Sequence, residues 1–336
     1  PSRAPGLIDE KASEHLILRA LEGGVNYFDT AYVYGSSEAV VGEIFEKNAI
    51  REKVYIATKL PHYLIRSREG MERIFQEELK RLRTDHVDYY LMHMLNDTAT
   101  WDRMKGLGVE EWIAEKKKRG EIRHIGFSFH STADVLDDVL TKHPEMEFVQ
   151  LQINYADWES DSVQSRKCYE VATRHGVPVI VMEPVTGGTL ANVPEAVEDM
   201  VKRHQPDLSV ASWAVRFTAD LDNVFMVLSG MSNREQLLDN TSYMIDCQPL
   251  SEAEREIIRR AVGFINGSIA IPCTGCAYCV DGCPVGIPIP QYFSLYNADK
   301  QELPGKSWTP QESYYVNLTK EFGAADQCLE CGQCEQ

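Results

Sequence analysis

No apolar run in these 336 residues approaches the ~20 needed for a membrane-spanning helix; VPVIVM from Val177 is among the longest. No signal-peptide pattern opens the chain, and positive charge is scarce. Lys and Arg total 34 against 51 Asp and Glu, a net charge of -17. A surface of that sign repels phosphate backbones and anionic lipid, which argues against nucleic-acid and membrane partners and for a cytoplasmic location. No G-x-G-x-x-G follows an apolar run, so the fingerprint of a doubly wound dinucleotide-binding sheet is missing. Before residue 273 there are two cysteines, Cys168 and Cys247, read as buried or inert. The other seven of the nine crowd into residues 273 to 283 and 328 to 334, a spacing that suits metal thiolates and not a disulfide scaffold.

From about residue 8 to 246, short runs rich in β-branched and aromatic residues alternate with helix-like segments. DEKASEHLILRALEGG, stopped by a glycine pair, is followed by VNYFDTA, VYIATK, VDYYLMH, IRHIGFSFH, FVQLQINY, VPVIVMEP and VFMVLSG. Seven strands alternating with helices, with no hairpin signal, predict a parallel sheet covered on both faces. That is one strand short of a closed barrel. The chain opens at Pro1 and reads straight into a helix, so the expectation is a (β/α)8 barrel over residues 1–250 whose first strand precedes residue 1; a doubly wound sheet is the alternative. Asp29, Thr30, Lys59, His93, Ser128, Asn154 and Glu183 all fall at strand ends, where such a barrel carries its active site.

Reducing a carbonyl requires a proton for the developing alkoxide. A tyrosine serves if a neighbouring cation eases loss of its proton, an aspartate can hold that cation, and a histidine can orient the carbonyl. FDTAYVYG offers Asp29 and Tyr34, ATK offers Lys59, and YYLMH offers His93. Together with GEIRHIGFSFH and LSGMSNREQLLDN, these segments resemble the aldo-keto reductase family. The resemblance implies the barrel, a nicotinamide cofactor (NADP or NAD), a small carbonyl substrate, and a tetrad of Asp29, Tyr34, Lys59 and His93 with Tyr34 as proton donor. It also implies that Ser128 and Gln150 hold the carboxamide, with Phe129 where an Asn is common. Met182 takes the place of a ring stacked on the nicotinamide, and Gly187 and Gly188 lie along the pyrophosphate. SGMSNREQLLDN reads as a turn entering a helix, whose backbone donors suit a phosphate. The contacts implied there are Ser232, Asn233, Arg234, Gln236 and Asn240, the last toward the adenine. With Gly230 and Gln236 where basic residues are frequent, Arg234 is the nearby cation, which tilts the expectation to NADP. Tyr63, Trp101 and Trp158 are candidates for the substrate pocket.

Cys273, Cys276, Cys279 and Cys283 followed by Pro284 form the C-x2-C-x2-C-x3-C-P run of a [4Fe-4S] ferredoxin, and Cys328, Cys331 and Cys334 begin a second. If the fourth cysteine of each run serves the other cluster, one cluster uses Cys283 with the 328 to 334 run. The other waits for a cysteine beyond Gln336, so two clusters and a truncated C-terminus are expected. Residues 251–336 thus read as a linking helix, SEAEREIIRRAVGFI, and a small ferredoxin-like iron-sulfur domain held together by its clusters. The combination resembles an iron-sulfur subgroup of aldo-keto reductases found chiefly in anaerobes. A ferredoxin or flavoprotein is the redox partner such a domain would take. A second reading makes the whole chain an electron-transfer module with the barrel as scaffold; the intact tetrad favours the enzyme.

Overall fold

The computed structural model describes residues 2–4, 7–267, 270–271, 273, 278–301, 308–332 and 334. Seven parallel strands in sequential order form one sheet: β3 Tyr27–Asp29, β4 Tyr55–Leu60, β5 Val87–Met92, β6 Ile122–Phe129, β7 Phe148–Gln152, β8 Val179–Met182 and β9 Val224–Val227. All seven coincide with the apolar runs read from the sequence. One feature differs. The chain does not enter its first helix directly, because β1 Ser2–Ala4 and β2 Leu7–Ile8 pair antiparallel ahead of it.

Helix α1 Glu10–Glu22 precedes the sheet, α10 Arg234–Met244 follows it, and between its strands the chain returns through α2 Ser37–Lys47, α3 Arg68–Leu82, α4 Thr98–Gly106, α5 Val109–Arg119, α6 Ala133–Lys142, α7 Ser165–Arg174, α8 Glu195–His204 and α9 Val210–Ala219. Local chemistry marks their ends. Asp9, Ser67, Asp97, Ser209 and Asn233 each accept a backbone N–H of the first turn from the N-cap position. The predicted glycine stop after α1 is met by Gly23, with Gly24 at φ 91°.

The pleat sorts side chains into two layers, since residues two apart share a face. Outward residues such as Ile56, Tyr90, Phe127, Val149 and Val181 pack with Phe45, Phe75 and Trp112 of the helices. Inward, Tyr27, Ala57, Leu91, Phe148 and Ile180 form a separate apolar cluster. Gly126 belongs to that inner layer, where a Cβ would lie 2.4 Å from the Phe148 carbonyl oxygen and 2.8 Å from its ring.

The predicted linking helix is α11, Glu252–Gly267, and it packs on the barrel. Ile258, Ala261 and Ile265 join Val197, Val201 and Trp213, and Glu254 pairs with Arg216 at 2.8 Å in a buried setting. Beyond it lie α12 Tyr278–Asp281, α13 Ile289–Gln301 and α14 Pro310–Leu318. Ile287, Tyr292, Leu295, Tyr314 and Leu318 make a small core there, completed by Val163 from the barrel.

Candidate active site and iron-sulfur region

One pleat step above the inner apolar cluster, the same face turns polar. Asp29 follows Tyr27, Lys59 follows Ala57, His93 follows Leu91, Ser128 follows Gly126, Gln150 follows Phe148 and Met182 follows Ile180. Parallel register therefore delivers six of the predicted residues to one rim, at the C-terminal ends of the strands.

Lys59 is 1% exposed, and its Nζ donates to Asp29 Oδ1 at 2.5 Å and to the Thr30 carbonyl at 2.7 Å. Burial pushes the Asp29 carboxyl up, while Lys59 pulls it back. The Lys59 ammonium lies 5.2 Å from the centre of the Tyr34 ring, which is 48% exposed at the mouth. His93 is edge-on to Tyr34 at 5.9 Å, and only 7% of it is exposed. Burial first, then the neighbouring Lys59, holds the His93 imidazole down to about 3, so it is neutral at physiological pH; its Nδ1 is buried without a hydrogen-bond partner. The four predicted residues thus converge, and the Thr30 carbonyl, which has no sequence signature, completes the lysine's setting. Of the pocket aromatics, Tyr63 stands 6.3 Å from His93. Trp101 is fully buried against His143, and half-buried Trp158 packs on Tyr169 and Phe217. His62, missed in the sequence, is buried beside Tyr63.

The residues implied for a nicotinamide fit one. Gln150 Oε1 is buried and unpartnered, an acceptor left for a carboxamide N–H, while its Nε2 donates to the polarisable Met182 Sδ at 3.5 Å. Ser128 Oγ accepts from the Met94 N–H at 2.8 Å and keeps its own proton to donate. Phe129 points outward into the core beside Phe127. Gly187 and Gly188 have φ of 62° and 103°, and Glu183 accepts from the Gly187 N–H at 2.6 Å, which shapes the loop after β8.

At the start of α10, Ser232, Asn233, Arg234 and Gln236 are exposed around the helix N-terminus. Gln236 folds back to accept from the Ser232 N–H at 2.7 Å, and Asn233 Oδ1 accepts from the Gln236 N–H. Asn240 is tied between Ser229 and Tyr243, at 2.8 and 2.6 Å.

Cys276 lies outside the described residues. Cys273, Cys328, Cys331 and Cys334 are exposed, and Cys279 and Cys283 half-buried. Cys283 Sγ accepts from the Ile287 N–H at 3.3 Å, and this with the Val285 and Gly286 N–H groups holds its thiol below the ordinary range, as a thiolate ligand requires. Cys328 Sγ likewise accepts from the Glu330 N–H at 3.4 Å. Cys168 is the opposite case: buried, with its thiol pushed up to about 12. Cys247 is also raised by burial.

Barrel, rim and cysteine runs define an α/β-barrel oxidoreductase with an iron-sulfur appendage. Residues 3–262 match the model of the aldo/keto reductase family, and residues 272–336 match that of the 4Fe-4S dicluster domain. The chain belongs to the aldo/keto reductase family. It is 29% identical over 240 residues to an aldo-keto reductase of Mycobacterium avium, covering 69% of this chain and 76% of that one. It is 27% identical over 226 residues to the methylglyoxal reductase DkgB of Salmonella typhi, covering 66% and 78%. An aldo-keto reductase from Klebsiella pneumoniae solved with NADPH shares the fold at a TM-score of 0.61 and 20% identity, over 76% of this chain and 87% of that one. A holo-form aldo-keto reductase from Bacillus halodurans superposes at 0.59 with 25% identity, over 76% and 88%. Among the described residues no helix is long and apolar enough to cross a membrane.

Proposed function

We propose that this chain reduces an aldehyde or ketone with NADPH, or runs the reverse reaction, in the cytoplasm. The observation that carries the reading is the meeting at one rim of a buried Lys59–Asp29 pair, a neutral His93 and an exposed Tyr34. When bound, the nicotinamide supplies the hydride. Gln150 and Ser128 would hold its carboxamide, Met182 would offer it a polarisable surface, and Gly187 and Gly188 would leave room for the pyrophosphate. Ser232, Asn233, Arg234, Gln236 and Asn240 hold the adenosine end, with Arg234 the cation for a 2'-phosphate. His93 donates a hydrogen bond to the substrate carbonyl. The Tyr34 phenol gives its proton to the same oxygen as the alkoxide forms, and the Lys59 ammonium offsets the charge left behind. Asp29 keeps Lys59 in place.

The cysteines hold two [4Fe-4S] clusters in this reading. Cys328, Cys331 and Cys334 with Cys283 bind one; Cys273, Cys276 and Cys279, with a fourth ligand outside these seven, bind the other. The reductase unit spans residues 1–250, and residues 251–336 form the linking helix and cluster domain, which is also the surface for a ferredoxin or flavoprotein. Methylglyoxal, which a relative is named for reducing, is the first substrate to try.

The test is Tyr34→Phe in cluster-replete protein. Carbonyl reduction is expected to fall at least ~100-fold with NADPH affinity unchanged. Unaltered turnover would remove Tyr34 as proton donor.

A further inference from the structure

The iron-sulfur region does not hang from the side of the barrel; it sits on the face that carries the tetrad. Four contacts place it there. Asn317 of α14 donates from Nδ2 to the His130 carbonyl at 2.6 Å, and the Tyr314 ring meets the buried His130 imidazole edge-on at 5.6 Å. Lys320 Nζ lies 3.3 Å from Asp97, and Ser294 bonds Ser162 at 2.9 Å. All the barrel residues involved lie in the segments that follow β5, β6 and β7.

Those segments are the ones that position the active site. His130 comes two residues after Ser128, and its N–H donates to Asn96 Oδ1 at 2.7 Å. Asn96 belongs to the turn 93–97 that begins with His93. The same turn is pinned to β6 twice more, by Met94 N–H to Ser128 Oγ at 2.8 Å and Leu95 N–H to the Ser128 carbonyl at 2.9 Å. Contact therefore runs without a break from α14 through His130 to the turn holding His93 and to the hydroxyl of Ser128.

We infer that α14 is part of the active-site scaffold: Asn317 is a positioning residue that, through His130 and Asn96, fixes Ser128 and His93. The cluster domain then serves carbonyl reduction by holding the rim in register, with no electron passing between cluster and nicotinamide. This rests on the reductase reading above. A merely attached domain would give stability when docked and leave affinity and turnover alone. A scaffold changes both, because orientation is what the rim supplies to catalysis.

Asn317→Asp tests this, since it keeps the shape and replaces the donor with an oxygen facing a carbonyl oxygen. In anaerobic, cluster-replete protein with unchanged iron content, NADPH Kd read by fluorescence is expected to rise about fivefold. The kcat/KM for methylglyoxal is expected to fall about tenfold. Lys320→Ser, at an exposed site, is expected to give smaller changes in the same sense that fade as salt rises, and it decides the matter if Asn317→Asp fails to hold its iron. Wild-type Kd and kcat/KM in the variant read would overturn the proposal. NADPH binding is read without turnover, so a protein that reduces no carbonyl sinks the reductase reading while the Kd shift still tests the scaffold.

Discussion

His93 shows how burial decides chemistry one side chain at a time. An exposed imidazole would titrate near 6.5, within the working range of most enzymes. This one is held to about 3, and His130 to about 4 by burial alone. The rate profile of carbonyl reduction is therefore expected to show no inflection near pH 6.5 from His93; a clear one would mean that the imidazolium takes part. The same depression has a cost in acid. Below pH 6.5 the unfolded chain binds protons at both residues while the folded chain does not, so stability falls as pH drops. The loss is up to ~1.4 kcal/mol per pH unit for each histidine and levels off below about 4 for His130 and about 3 for His93. Urea unfolding at pH 7 and pH 5 reads that slope, and replacing His130 with Gln should flatten it. The four residues that meet at the rim were legible in the sequence because Asp29, Lys59 and His93 fall at the ends of apolar strand runs and Tyr34 lies in the loop after the first, each in a recognisable segment. The Asn317–His130 bond was not, for 187 positions separate its partners and no local spacing announces it.

Strands and helices were legible for a different reason: near-continuous apolar runs and capping residues are local signals, and all seven runs became strands. The antiparallel pair Ser2–Ala4 with Leu7–Ile8 escaped because strands of three and two residues carry too few positions for a period. Trp101 misled because residue type alone does not say which face of α4 it occupies. Close packing between elements makes its own prediction. A Cβ on Gly126 would strike Phe148 at 2.4 Å, and one on Gly42 would strike the Arg81 carbonyl of α3 at 2.3 Å. Gly126→Ala and Gly42→Ala are each expected to cost about 1–3 kcal/mol, read as a lower melting temperature. An unchanged melt would show that the layers give way freely. For the cysteine runs, Cys283→Ala is expected to damage the cluster of residues 328 to 334 more than the one nearest in sequence. Iron counts and electron paramagnetic resonance of the variant would reveal the reverse if each run served itself.

Taken whole, the molecule places two redox chemistries against each other. A nicotinamide moves two electrons as hydride and a [4Fe-4S] cluster moves one, and no flavin motif appears in the sequence to convert between them. The cluster domain nevertheless contacts the segments after β5, β6 and β7, at the rim end of the barrel, through Asn317, Tyr314, Lys320 and Ser294. A scaffold explains that placement without electron exchange. The deciding experiment is a single anaerobic turnover of cluster-replete protein with NADPH deuterated at both C4 positions and methylglyoxal, following the cluster absorbance and the mass of the product. One deuterium on the new carbinol carbon, lost in Tyr34→Phe, with the cluster spectrum unmoved throughout, is the expected result. Bleaching of the clusters by NADPH with no deuterium in any product would contradict it and make the chain an electron carrier.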